Sequence, residues 1–141
     1  MSAALALQKT LRAALTADEA FAALIPPANV FDRHGRPERF PCVEIGEAQE
    51  VLADLTWDRR HTAVYLTLHA WDCAPGLTGV KRTGEAIRNV VRTMNVDVAP
   101  YRCLDLKVRA IRTWRDKDGQ ESGDQISHGV VQIEALMEDP V

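Results

Sequence analysis

With 141 residues, 46% of them hydrophobic and 26% charged, the chain has the size and composition of one folded domain and is too apolar to be disordered. Its formal net charge of −3 argues against a broad electrostatic grip on nucleic acid, which needs clustered lysines and arginines. It has no apolar stretch long enough to cross a bilayer and no signal-peptide pattern, so we expect a protein made in the cytoplasm, with no membrane partner.

Two helices are predicted at the N-terminal end. Apolar residues recur at helical spacing from Ser2 to Leu15, and Ser2 is placed to cap the first turn. Thr16 and Glu19 have the spacing of a capping box, which predicts the start of a short second helix. The pair Pro26-Pro27 then ends this helix.

The next predicted elements are strands. Phe40 to Gly46 reads as a strand, whereas Glu47 to Arg60 is polar and its structure is left open as loop, strand or arm. His61 to Asp72 is the clearest strand, because apolar residues occupy every second position. One face of it carries Thr62, Val64, Leu66, Leu68 and Ala70, and the other carries His61, Ala63, Tyr65, Thr67, His69 and Trp71.

A long helix and two further strands complete the predicted fold. The helix follows Thr78, and one of its faces carries Val80, Ile87, Val91 and Met94. Cys103 to Arg115 and Ile126 to Met137 alternate as strands, with a bulge expected near Ala110 and Ile111. The order of elements predicts a single α+β domain over residues 1–141, an antiparallel β-sheet of four to five strands with two to three helices packed on one face.

The sequence contains no motif that indicates catalysis, so we expect no enzyme, no catalytic residues and no cofactor. Cys73 near His69 is the most tempting nucleophilic pair, but Cys73 lies past the end of the strand and a structural role is preferred for both. The other histidines lack the spacing of metal ligands, so no metal is expected. The three cysteines are odd in number and widely spaced, which predicts free thiols.

The segment Asp116 to Gln125 is polar and predicts a solvated loop between two antiparallel strands. Its carboxylates raise the alternative of a calcium site, but their spacing departs from the ligand pattern of an EF-hand. We therefore expect this loop to be mobile in the free subunit and to become ordered only against a partner. The carboxylates are those of Asp116, Asp118, Glu121 and Asp124.

Four stretches in succession resemble the tail-completion (tail terminator) proteins of long-tailed bacteriophages and gene transfer agents. They are the N-terminal helix followed by 18-DEAFAAL-24, the strand 40-FPCVEIG-46, the strand His61 to Asp72, and 128-HGVVQIEAL-136. Cys42 stands where the family often has an aromatic residue after the Phe-Pro pair. The match extends over nearly the whole chain and rests on the order of these patterns, since the family has no catalytic motif.

The resemblance implies a non-enzymatic assembly protein. It would form a ring, usually a hexamer, that caps the head-proximal end of the tail tube, stops tube growth and joins the tail to the neck. Its partners would be copies of itself, the tail tube protein and a neck or stopper protein, with DNA only in passage. It would be found in the bacterial cytoplasm during assembly and then in the tail or neck of the particle.

Two other classes remain open. Another neck protein, such as a head-completion or stopper subunit, would bind the portal side and would not assemble alone on tail tubes. A small-ligand binding module or an unrecognised enzyme would need a deep pocket with suitable chemistry.

The predicted subunit interface of such a ring is the sheet face that the helices leave uncovered, with Tyr65, His69 and Trp71 among its contacts. The alternative is that Glu47 to Arg60 folds over this face within one subunit. In a ring, a small group of basic residues on each subunit would be repeated around the axis and would give the ring a positively charged rim. The candidate rim residues are Arg109, Arg112 and Arg115, with Lys81, Arg82, Arg88 and Arg92 on the helix.

Overall fold

The protein is described by a computed structural model for residues 1–33, 37–94, 97–116 and 125–140. Within these residues the chain forms three α-helices and six strands. The helices are α1 (Ala3–Ala17), α2 (Glu19–Leu24) and α3 (Thr78–Thr93), and a 3-10 turn spans Pro27–Asn29. The strands are β1 (Val30–Phe31), β2 (Cys42–Ala53), β3 (His61–Asp72), β4 (Asp97–Val98), β5 (Tyr101–Arg115) and β6 (Ser127–Glu138).

The strands form one sheet in the order β1-β2-β3-β6-β5-β4. The pairs between the four long strands are antiparallel, as is β4 with β5, whereas β1 runs parallel to β2. The α+β class is therefore confirmed, but the expectation of four to five antiparallel strands is corrected to six strands in a mixed sheet. The two additional strands, β1 and β4, are two residues long and leave no periodic pattern in the sequence.

The core lies between the helices and one face of the sheet. The residues predicted to point inward from β3 are buried, with Val64 and Leu68 fully inaccessible. The inward-facing residues of β6 are buried as well. They meet the apolar faces of α1 and α3, which include Leu7, Leu11, Leu15, Val80, Ile87 and Val91. None of the helices in the described residues is long and apolar enough to span a membrane.

The helix caps differ from the prediction at one of two places. Ser2 caps α1 as expected, its Oγ accepting a hydrogen bond from the backbone N–H of Leu5 at 3.2 Å. The start of α2 is capped instead by Asp18, whose carboxylate accepts from the N–H of Phe21 at 2.9 Å. Thr16 still lies within α1 and donates its hydroxyl to a carbonyl of the preceding turn. The capping-box prediction was therefore wrong because α1 continues further than expected.

Residues 47–60 do not fold over the sheet. Strand β2 continues through an irregularity between Ile45 and Ala48, and Ala48 to Ala53 pairs with Leu66 to His61 of β3. The remaining residues, Asp54 to Arg60, connect β2 to β3. The alternative in which this segment buries Tyr65 and Trp71 is therefore wrong, because the segment widens the sheet instead of covering it.

Candidate interaction surface

The face of the sheet opposite the helices, called here the open face, carries an aromatic cluster made of His69, Trp71, Trp114 and His128. The ring of Trp71 stacks on that of His128, with centroids 3.7 Å apart and planes at 10°. Trp114 approaches the same imidazole at 4.4 Å and 52°. On its other side, His128 shares a hydrogen bond with His69, with Nε2 and Nδ1 2.9 Å apart.

Strand register explains how the cluster forms. Trp71 of β3 is the direct partner of His128 of β6, which is in turn the direct partner of Trp114 of β5. Directly opposed side chains lie on the same face, and diagonal neighbours are within reach of large rings. His69 is such a diagonal neighbour, two residues before Trp71. Three strands thus contribute to one continuous set of rings.

The cluster keeps His128 neutral. Burial and, to a smaller extent, the nearby His69 lower the pKa of His128 to about 4, although Asp116 acts in the opposite direction. On the far side of His69, a carboxylate oxygen of Glu47 lies 3.4 Å from Nε2. The pKa of Glu47 is lowered, first by a hydrogen bond from its own backbone and then, against the effect of burial, by His69. A polar chain therefore runs from Glu47 through His69 to His128.

A depression of about 520 Å³ lies beside the cluster. Its lining combines aromatic rings with charged side chains, namely Asp32, Arg33, Glu44, Glu47, His69, Trp71 and His128, together with Ile45 and Gly46. The indole Nε1 of Trp71 is buried and has no hydrogen-bond partner among the described residues. Serine, threonine and cysteine are absent from the described lining. This composition suits the binding of another surface better than nucleophilic chemistry.

The three residues predicted for a subunit interface do lie on the open face, but they differ in exposure. Tyr65 is 37% exposed and adjoins a second depression of about 320 Å³. His69 and Trp71 are half-buried, since they pack into the aromatic cluster of their own subunit. Tyr65 is therefore the most accessible of the three.

The predicted basic stripe on β5 is divided between the two faces. Arg109 and Arg112 lie on the open face, where Arg109 pairs with Glu134 at 2.7 Å and Arg112 lies 4.9 Å from the centre of the Trp114 ring. Arg115 is paired with the buried Ser127 and donates to the carbonyl of Pro75 on the helix side. The spacing of three residues between these arginines would divide them on any regular strand, with Arg112 on the face opposite Arg109 and Arg115. The register shift between Val108 and Ala110 reverses the alternation, so Arg112 shares the open face with Arg109 and Arg115 lies on the helix side.

The tip of the β2–β3 hairpin, formed by the end of β2 and the connection to β3, exposes large apolar side chains. Trp57 is 100% exposed, Leu52 74% and Leu55 61%. Single exposed apolar residues are ordinary, but three within six positions of one hairpin form an apolar tip that nothing in the described chain covers.

The cysteines are free, as predicted: Cys42 is buried, Cys73 is exposed and Cys103 is intermediate. His69 contacts His128 and Glu47, so the considered pairing with Cys73 is not the arrangement found. Within the described residues no group of three or more His, Cys, Asp or Glu side chains could hold a metal ion. The carboxylates considered for calcium at positions 118, 121 and 124, and most of the loop expected to be mobile, lie outside the described residues.

The chain belongs to a family of tail completion proteins. The family model described as "Tail completion protein gp17" matches residues 9–138, nearly the whole chain. The fold is similar to that of a chain in the "Virion of native gene transfer agent (GTA) particle", with a TM-score of 0.78 and 17% sequence identity over 97% of this chain and 98% of that chain. No curated protein sequence matches. The family assigns the chain a structural role in tail assembly.

Sequence reasoning missed His128, Trp114 and Glu47 as members of the surface. The alternation of β6 does place His128 on the face opposite Val131, so the face was predictable. The residues that surround His128 could not be predicted, because they depend on the register of β6 with β3 and β5. Glu47 was missed because its segment was not recognised as strand.

Proposed function

We propose that this protein is a tail terminator, which forms a ring at the head-proximal end of the tail tube, stops tube growth and joins the tail to the neck. Membership of the tail completion family supports the role, and the similar chain in a gene transfer agent particle supports placing it in a virion. Its partners are copies of itself, the tail tube protein and a neck or stopper protein. Assembly takes place in the cytoplasm of the bacterial host, and DNA only passes through.

The main observation in support of a ring is that, among the residues the structure describes, no helix packs on one face of the sheet. A sheet normally buries at least one face, and here the second face carries the half-exposed Tyr65 and the aromatic cluster. Aromatic residues with a polar group are enriched at protein interfaces because they are apolar in body and can hydrogen-bond at the edge. The apolar tip around Trp57 offers a second surface for a neighbouring molecule.

The test replaces Tyr65 by Glu and measures both folding and assembly. Wild-type protein should form rings with an open centre in electron micrographs and a matching mass by light scattering. The Tyr65→Glu variant should keep its circular dichroism and a cooperative melt but remain monomeric and fail to cap tails. Tyr65→Phe, which retains the aromatic side chain, should still assemble into rings.

Three outcomes would contradict this proposal. A wild-type protein that stays monomeric at all concentrations would contradict the ring. Unchanged rings in the Tyr65→Glu variant would place the interface elsewhere. Binding to portal complexes but not to tail tubes would instead identify a head-completion or stopper subunit.

A further inference from the structure

As far as the structure describes the chain, the sheet has two long outer edges, and each lacks a neighbouring strand over most of its length. Strand β1 pairs with β2 only at Val43 and Glu44. At the opposite edge, β4 pairs with β5 only at Tyr101 and Arg102. In the described part of the chain, the outer edges of Ile45 to Ala53 and of Cys103 to Arg115 are therefore unpaired. Unpaired edges are natural sites of contact with another chain.

The two outer strands carry opposite charge. The unpaired part of β2, Ile45 to Ala53, contains two glutamates, Glu47 and Glu50, and no basic residue, for a formal charge of −2. The unpaired part of β5, Cys103 to Arg115, contains four basic residues and a single aspartate, for a formal charge of +3. The whole chain has a net charge of only −3, so this separation is a property of the sheet edges and not of overall composition.

The opposite charges also occur at corresponding heights across the sheet. Glu47 lies between Ile45 and Ala48, level with the bulge of β5 that contains Arg109. Both of these side chains reach solvent, since Glu47 is 75% exposed and Arg109 is 61% exposed.

We propose that copies of this chain join head to tail, with the acidic edge of β2 in one copy facing the basic edge of β5 in the next. The inference rests on the proposed ring and specifies the contact that closes it. A two-fold dimer through either edge would place like charges together, whereas a rotation that repeats the same contact places unlike charges together. Charge complementarity thus favours a ring over an isolated dimer.

The contact is made by side chains and not by a continued backbone ladder. Strand β5 has register shifts between Cys103 and Asp105 and between Val108 and Ala110, and such bulges interrupt regular pairing at an edge. Exposed ion pairs contribute little affinity individually, but complementary potentials set the orientation and register of a contact. The charged edges therefore determine which surfaces meet, while apolar contacts supply most of the affinity.

The test uses two single charge reversals, Glu47→Arg and Arg109→Glu. Each variant alone would present like charges at every contact, and its rings should dissociate at a concentration at least about tenfold higher than those of wild type. An equimolar mixture should form rings again. In an alternating ring the introduced arginine of one variant faces the introduced glutamate of the other, and at the next contact the unchanged Glu47 faces the unchanged Arg109. Lys9→Glu, a reversal at an exposed position of α1 on the helix side, is the control and should assemble like wild type.

Mass photometry of each sample, at low and high salt, gives the readout, and a cooperative melt confirms that every variant is folded. Rings that persist in either reversal alone overturn the head-to-tail contact, and so does a mixture that fails to recover. If wild type forms rings and neither charge reversal affects them, only this contact is overturned and the proposed function stands. A wild-type protein that never forms rings overturns the proposed function and this contact together.

Discussion

The Nδ1 of His69 and the Nε2 of His128 lie 2.9 Å apart, so one of these nitrogens must donate a proton and the other must accept it. Two imidazolium ions cannot keep this contact, because both nitrogens would then be donors. The stacking of Trp71 on His128 further limits access of water to that ring. The aromatic cluster is consequently arranged for a neutral His128.

Acidification should therefore weaken the fold through His128. An unperturbed histidine binds its proton near pH 6.5, whereas burial lowers the pKa of His128 to about 4 in the folded state. Between these values the unfolded chain binds more protons, so the free energy of unfolding falls as the pH is lowered. The contribution is complete above pH 6.5 and is lost below about pH 4. Urea unfolding at a series of pH values measures it.

The variant His128→Phe isolates this effect, because it keeps an aromatic ring between Trp71 and Trp114 and removes the titrating nitrogen. Its free energy of unfolding should fall less than that of wild type between pH 6.5 and 4. Glu47, His69, Arg112 and Asp116 also face the cluster and remain in both proteins, so the difference reports on His128. Parallel pH profiles of variant and wild type would contradict the assignment.

Gly46 should be required for the position of His69. A Cβ at position 46 would lie 2.7 Å from Cδ2 of His69 and 3.0 Å from the carbonyl oxygen of Thr67. Gly46→Ala should therefore displace the imidazole and destabilise the fold by about 1–3 kcal/mol. The matched control is Gly76→Ala, since a Cβ there meets nothing within 4 Å.

Urea unfolding compares the two variants, and the imidazole resonances of His69 and His128 report directly on the contact. Gly46→Ala should shift both resonances, whereas Gly76→Ala should leave them unchanged. Equal stability of the two variants would show that β2 can move away from His69 without cost.

The three thiols should react in an order set by exposure. Burial and, to a smaller extent, the nearby Glu44 raise the pKa of Cys42 to about 12, so this thiol is protonated and inaccessible at neutral pH. Burial also raises the pKa of Cys103, whereas Cys73 is exposed. Because the thiolate is the reactive species, an aromatic disulfide reagent should modify Cys73 first and Cys42 only after unfolding. Fewer than three reactive thiols in denatured, unreduced protein would contradict the free state of the cysteines.

The long elements were predictable because their periodicity is strong. Strand β3 has the predicted bounds, His61–Asp72, and the alternation of its side chains identified the buried face correctly. The second half of β2 was not predicted, because an edge strand that is exposed on both faces lacks an apolar pattern. Residues 49–52 are all exposed, although they pair regularly with β3.

The surface was predictable in part. Alternation placed Tyr65, His69 and Trp71 on one face, but alternation along one strand does not indicate which residues of other strands lie beside them. The cluster depends on the register of three strands. The position of Arg115 depends on a bulge in β5. We expected this bulge near residues 110–111, but it lies between Val108 and Ala110. A shift of one residue at that point moves every later side chain to the other face.

Tail length is the measurement that tests the role of this protein most directly. Tails can be assembled in producing cells with and without the protein, and their length distribution measured by electron microscopy. Without it, tubes should be long and variable in length, and addition of purified wild-type protein during assembly, but not of Tyr65→Glu, should restore a narrow distribution with a ring at one end. An unchanged length distribution in the absence of the protein would contradict a function in ending tube growth.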